Sequence, residues 1–152
     1  MEDKQDKPKI LKNKYIPTAE FYSQIIDSLQ DYSIFTLDKE FIINSWSSGS
    51  TKIFGYETEE VIGEPFDLIF TDEDLKKGVP KKEIETALKE GRATDNRWHI
   101  AKDKSLFYAY GLVFPLIGLE GELLGYVKIL RDLTDRKQSE DAIKNYIREL
   151  EE

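Results

Sequence analysis

Leu106-Phe-Tyr-Ala-Tyr-Gly-Leu-Val-Phe-Pro-Leu116 and Leu123-Leu-Gly-Tyr-Val-Lys-Ile-Leu-Arg-Asp132 are the two runs whose reading decides the fold. Both are rich in aromatic and β-branched residues, which suit a pleated surface, and Gly118 to Glu122 between them is compatible with a turn. Ala93 to Lys102 is a third run of this kind, joined to the first through Asp103-Lys104. Three antiparallel strands are predicted. Alternation puts Ala109, Gly111 and Val113 on one side of their strand, and Tyr126, Lys128 and Leu130 on one side of theirs. It does not say which side is interior.

Upstream, Ser33 to Leu37 and Phe41 to Trp46 are short apolar runs separated by Asp38-Lys39-Glu40, the length of a hairpin connection. From Ser47 to Phe70 the pattern is broken by Gly55, Gly63 and Pro65, which predicts several one- or two-turn helices with the glycines near their C-terminal ends. Pro80 opens a longer helix in which Ile84, Ala87 and Leu88 share a face and which Gly91 terminates. Flanking these, residues 17–31 carry Phe21, Tyr22, Ile25, Ile26 and Leu29 at helical spacing, and residues 135–152 carry Ile143, Tyr146, Ile147 and Leu150. The expected organisation is a polar tail at 1–16, an amphipathic helix at 17–31, a core at 32–134 and a signalling or coiled-coil helix at 135–152.

Composition removes several function classes. The chain has 152 residues with 22 Lys and Arg against 30 Asp and Glu, a net charge of -8 that argues against phosphate-driven nucleic acid binding. It has no Cys, so thiolate nucleophiles, disulfides and Cys-based metal sites are excluded. No apolar run approaches the roughly 20 residues that span a bilayer, so a cytoplasmic chain without membrane insertion in this segment is expected. His99 is the only histidine, and no Ser sits in a Gly-x-Ser-x-Gly elbow. With no phosphoacceptor helix or Gly-rich nucleotide loop either, the isolated domain is expected not to be an enzyme, and any output domain would lie beyond Glu152.

Five stretches, in order and at suitable spacing, resemble a PAS domain: Phe41-Ile-Ile-Asn-Ser-Trp46, Ile53-Phe-Gly-Tyr56 followed by Glu59-Glu-Val-Ile-Gly63, Phe70-Thr-Asp-Glu-Asp74, Trp98-His-Ile-Ala-Lys-Asp103, and Gly125-Tyr-Val-Lys-Ile-Leu-Arg-Asp-Leu-Thr-Asp-Arg-Lys137. Arg131-Asp-Leu-Thr134 looks like the Asp-Ile-Thr signature that closes the last PAS strand, and the whole resembles the PAS domains of bacterial sensor histidine kinases. Lys104-Ser105 departs from the Gly-Ser that many relatives carry at that strand turn.

The resemblance implies an α+β fold: a five-stranded antiparallel sheet in the order 2-1-5-4-3, short helices on one face, and flanking N- and C-terminal helices. It further implies a sensory module that holds a small ligand in its core and relays its state through the C-terminal helix to an output domain. Flavin-binding relatives have a pocket Gln where Leu130 falls and an Asn where His99 falls. His99, Ala109, Gly111, Lys128 and Leu130 are therefore expected on the cavity side, against a wall of Ile53, Phe54, Ile69 and Leu88. The small residues Ala109 and Gly111 would leave space over the sheet. Trp98 should face away from His99.

A buried ammonium needs compensation, so Lys128 calls for a small anionic or aromatic carboxylate-like ligand, or for an internal acid such as Glu57 or Asp67, or else it reaches solvent. Haem has its imidazole in His99, but the familiar haem pattern places the histidine on the longer helix, where Lys81 to Gly91 has none. A cysteinyl-flavin adduct is excluded. The cofactor stays unknown, and a ligand-free dimerisation or relay module stays open beside the ligand sensor and the haem-based gas or redox sensor. Homodimerisation through the flanking helices is expected, with Asp132 and Thr134 carrying the signal into the exit helix.

Overall fold

A computed structural model describes residues 17–152, and the polar tail expected at 1–16 lies outside them. The elements are α1 (Ala19–Ser28), β1 (Tyr32–Leu37), β2 (Ile43–Trp46), α2 (Ser48–Phe54), α3 (Thr58–Val61), a 3-10 turn (Phe66–Ile69), α4 (Asp72–Lys76), α5 (Val79–Glu90), β3 (Ala93–Ile100), β4 (Leu106–Ile117), β5 (Leu123–Asp132) and α6 (Thr134–Glu151). The strands form one antiparallel sheet in the order β2-β1-β5-β4-β3. The fold is α+β, with the predicted strand order.

Local chemistry accounts for the short elements. Ser47 caps α2 by accepting from the Ser50 amide at 3.2 Å, and Thr71 caps α4 by accepting from Asp74 at 3.3 Å. Gly55 ends α2 with φ of 82° and Gly91 ends α5 with φ of 88°, left-handed values that cost a residue with a side chain. Lys104 takes φ of 72° in the β3–β4 turn, while the Ala101 amide donates to Ser105 at 2.9 Å. The turn is therefore closed by a lysine in the left-handed region.

The inner sheet face is now fixed. Phe107, Ala109, Gly111 and Val113 of β4 and Tyr126, Lys128 and Leu130 of β5 are all buried. Against them lie Phe54 from α2, Val61 from α3, Phe66 and Ile69 from the 3-10 turn, Phe70, and Ile84 and Ala87 from α5. Full burial of a side chain such as Phe54 or Phe66 contributes about 2 kcal/mol, so these brief helices are held by the sheet more than by their own propensity.

Leu88 corrects the sequence reading of α5. It is 52% exposed, whereas the inward stripe is Pro80, Glu83, Ile84 and Ala87. That stripe has the i, i+3, i+4, i+7 spacing of a helix face, and Leu88 sits about 100° beyond Ala87 around the axis. An acidic residue occupies the place that the apolar reading gave to Leu88.

Apolar residues of the flanking helices lie in the open. Phe21, Tyr22, Ile25, Ile26 and Leu29 of the α1 region and Ile143, Tyr146, Ile147 and Leu150 of α6 are all exposed. The lower end of α1 is nevertheless fastened: Gln30 donates to the Ser48 hydroxyl at 2.7 Å, and Ser48 donates to the Asp27 carbonyl at 2.8 Å. Gln30 and Asp31, just after α1, border the same surface cleft as Leu133, Asp135 and Arg136 at the root of α6.

Candidate functional site

Strand register builds the site. Asp95 pairs with Gly111, Gly111 with Leu130, Val113 with Lys128, and Lys128 with Phe35, so β3, β4, β5 and β1 present one continuous inner surface. On β3, Asp95, Arg97 and His99 share that side by alternation. From the other layer, α5 turns Glu83 inward and α4 offers Asp74.

Lys128 is 1% exposed, and its Nζ donates to Glu83 Oε2 at 2.8 Å. It also lies 5.8 Å from the centre of the Phe70 ring. Arg97 reaches Asp74 Oδ2 at 3.2 Å through Nη1, stands 3.4 Å from Glu83 Oε1 through Nε, and pairs with Asp95 through the same Nε. Three carboxyls thus surround two cations, with Lys128 buried, Arg97 reaching the edge of a surface cleft and Asp74 half-buried.

Burial shifts these groups in different directions. Glu83 is pushed up to about 7, first by desolvation and then by the Asp95 carboxyl facing it, against the pull of Lys128. Asp95 is held low: burial pushes it up, but the Glu83 carboxyl facing it, the Lys128 charge and Arg97 outweigh that. His99 is depressed to about 4, by burial first and by the Lys128 charge second. It is a neutral imidazole at ordinary pH. Because a carbonyl only accepts, Nδ1 carries the proton and donates to the Ile69 carbonyl at 3.0 Å. Nε2 is left as an acceptor, buried and without a hydrogen-bond partner among the described residues. The Phe70 and Phe107 rings lie 5.2 and 6.0 Å from the imidazole centre.

His99, Lys128, Leu130, Ala109 and Gly111 do come together on the inner face, and Phe54 and Ile69 are buried opposite them. Ile53 is half-buried and borders surface clefts, and Leu88 is not part of the wall. Trp98 is 37% exposed on the outer face, away from His99. The acid that compensates Lys128 is Glu83, neither Glu57 nor Asp67, both of which are exposed. That pairing removes the electrostatic requirement for an anionic ligand. Gly111 leaves no void either: an added Cβ would stand 3.1 Å from Leu130 Cδ2 and 3.2 Å from Lys128 Nζ, and closer still to Asp95 Oδ1. The missing side chain is what lets the charged groups approach.

Sequence reasoning missed Asp74, Glu83, Asp95 and Arg97. Two signals were available. Asp95 and Arg97 have the same parity as His99 along β3, and Glu83 completes the inward spacing of α5.

At the exit, Asp132 Oδ1 accepts from the Thr134 amide at 2.9 Å and from its hydroxyl at 2.6 Å. The Thr134 hydroxyl in turn accepts from the Tyr108 amide at 2.9 Å, and the Leu133 amide donates to the Tyr108 carbonyl at 2.7 Å. Asp132 and Thr134 therefore tie the start of α6 to β4.

Comparison with known proteins gives concordant results. Two-component system protein A of Emericella nidulans is 35% identical over 131 residues, covering 86% of this chain and 19% of that protein. Cell-division control histidine kinase PdhS of Brucella anthropi is 27% identical over 158 residues, covering 98% of this chain and 14% of that protein. The chain thus spans less than a fifth of the length of either relative. A crystal structure of the PAS domain of a protein from Colwellia psychrerythraea superposes with a TM-score of 0.69 at 23% identity, covering 83% of this chain and 98% of that one. The family model described as a PAS domain matches residues 31–135, and with the strand order and the short helices over the inner face, the chain belongs to the PAS domain family.

Proposed function

We propose that this chain is the sensory module of a two-component signalling protein: a small ligand in its core biases β5, and Asp132 and Thr134 pass that bias into α6 and on to an output domain. The relatives named as two-component and histidine kinase proteins support the setting, which would be cytoplasmic. Among the described residues, no helix is long and apolar enough to cross a membrane.

The observation that carries the ligand reading is His99 Nε2. A buried acceptor left without a donor costs about 1–3 kcal/mol, and a ligand that donates a hydrogen bond relieves that cost. Lys128 already has its carboxylate, so the ligand is a small, mostly apolar molecule with one hydroxyl or amide donor rather than an anion. Ala109, Leu130, Phe54 and Ile69 would line its apolar part, with Ile53 at the rim. Phe70 and Phe107 against the imidazole speak against haem, which needs a wide planar slot. Relay requires that the ligand bind the two states of α6 unequally.

Native mass spectrometry of freshly purified protein, with titration of hydroxyl and amide fragments followed at the His99 side-chain nitrogens, tests this. A retained small mass, or a fragment that shifts Nε2 and changes hydrogen exchange in α6, is expected. Unshifted His99 nitrogens across the fragments, with no retained mass, would leave the alternative of a ligand-free relay module. That second reading is favoured by the filled space over Gly111 and by the exposed apolar residues of α1 and α6, which suit a homodimer.

A further inference from the structure

Glu83 Oε1 and Asp95 Oδ1 are both buried, and neither has a hydrogen-bond donor among the described residues. Both carboxyls converge on the same two cations: Arg97 Nε pairs with Asp95 and stands 3.4 Å from Glu83 Oε1, while Lys128 Nζ bonds Glu83 Oε2 and crowds the Gly111 position beside Asp95 Oδ1. Two ionised carboxylates cannot satisfy one another, since both only accept. A single proton held between the two groups would make one oxygen a donor to the other. The local charge count agrees: Asp74, Glu83 and Asp95 stand against Arg97 and Lys128, three negative groups and two positive ones. One bound proton makes the cluster neutral, which a low-dielectric interior favours.

We propose that Glu83 and Asp95 hold one proton in common, forming a proton-binding site that couples the seating of α5 on the sheet to ambient pH. This goes beyond the ligand-relay reading and does not depend on it. Glu83 faces Asp95, Arg97 and, farther along, His99 on β3, Lys128 on β5 and Asp74 on α4. Lys82 and Glu90 of α5 and Arg92 before β3 rim the cleft above it. The cleft has a volume of about 450 Å³ and gives the proton a path to water. When the proton leaves, two adjacent carboxylates on opposing elements repel, and α5 is pushed from β3.

The sign follows from linkage. Seated α5 keeps the proton up to about pH 7, whereas an unseated Glu83 releases it near its ordinary 4.5. Opening of α5 therefore becomes easier as pH rises between those values and levels off above them. Glu83→Gln imitates the protonated state, because its amide can donate to Asp95 while its oxygen still accepts from Lys128.

The experiment has two arms on the described chain. Carboxyl carbon NMR of the wild-type protein should show the Glu83–Asp95 pair gaining or losing one proton near neutrality. Hydrogen exchange of α5 amides, corrected for intrinsic rates, should rise about tenfold or more from about pH 5 to about pH 7 in the wild type and stay flat in Glu83→Gln. Parallel exchange profiles for the two proteins would overturn the proposal. So would carboxyl resonances that both finish titrating below about pH 5, a result that needs no variant.

Discussion

Lys128 of β5 and Glu83 of α5 meet at 2.8 Å inside the protein, 45 residues apart in sequence. The contact joins the strand that leads into α6 to the longest helix of the layer covering the sheet. Its worth lies less in attraction than in what breaking it exposes, because each charge has given up water for the other.

Lys128→Met should therefore destabilise the fold by about 3 kcal/mol at neutral pH, since it takes the hydrogen-bonded cation from Glu83 and leaves Arg97 alone against three carboxyls. The Glu83–Asp95 pair can then take a second proton, so the deficit should shrink as pH falls. Adding Glu83→Leu should restore part of the loss. Urea denaturation of the single and double variants at two pH values measures this, and a double variant as weak as the sum of the singles would contradict it.

His99 sets an acid limb. Its folded-state value near 4 lies below the ordinary 6.5, so the stability it contributes is complete above about pH 6.5 and lost as pH falls toward 4, on the order of 3 kcal/mol in all. Glu83, raised from 4.5 to about 7, acts in the opposite direction, its stability contribution falling as pH rises through that window. The wild-type curve should be comparatively flat, and Glu83→Gln should uncover the His99 slope. Thermal melts from about pH 4 to about pH 8 test both signs.

Gly111→Ala should cost about 1–3 kcal/mol, because the new methyl meets Asp95, Leu130 and Lys128 at once. The backbone of β4 is extended there, so the loss would come from crowding and not from conformational strain. Shifted Lys128 and Asp95 side-chain resonances in the folded variant are the expected sign, and an unperturbed spectrum would count against the packing described.

Thr134→Val removes the hydroxyl that bridges Tyr108 and Asp132, at a cost of about 1 kcal/mol. Hydrogen exchange should quicken in the first turns of α6 while β4 and β5 keep their protection. Equal loosening of the sheet would mean that the bridge belongs to the core and not to the exit.

The strands, and which residues share a side, were legible because side-chain parity is rigid, whereas the choice of interior side came from family resemblance. Gly55, Gly63 and Gly91 marked helix ends because left-handed backbone has few alternatives. Strand order came from family resemblance, since no periodicity in the chain specifies which strands are neighbours. The reading failed where charge was taken to mean exposure. Leu88 was placed with Ile84 and Ala87 on hydropathy and Glu83 was passed over, although Pro80, Glu83, Ile84 and Ala87 form the cleaner stripe. The partner of Lys128 was sought in Glu57 and Asp67 for the same reason: an ion pair between distant elements leaves no local pattern at either end.

The cleft shared by the segment after α1 and the root of α6 means that the polypeptide arrives and departs at one corner of the sheet. A tilt of either flanking helix is therefore felt at the footing of the other across that corner, without passing through the strands.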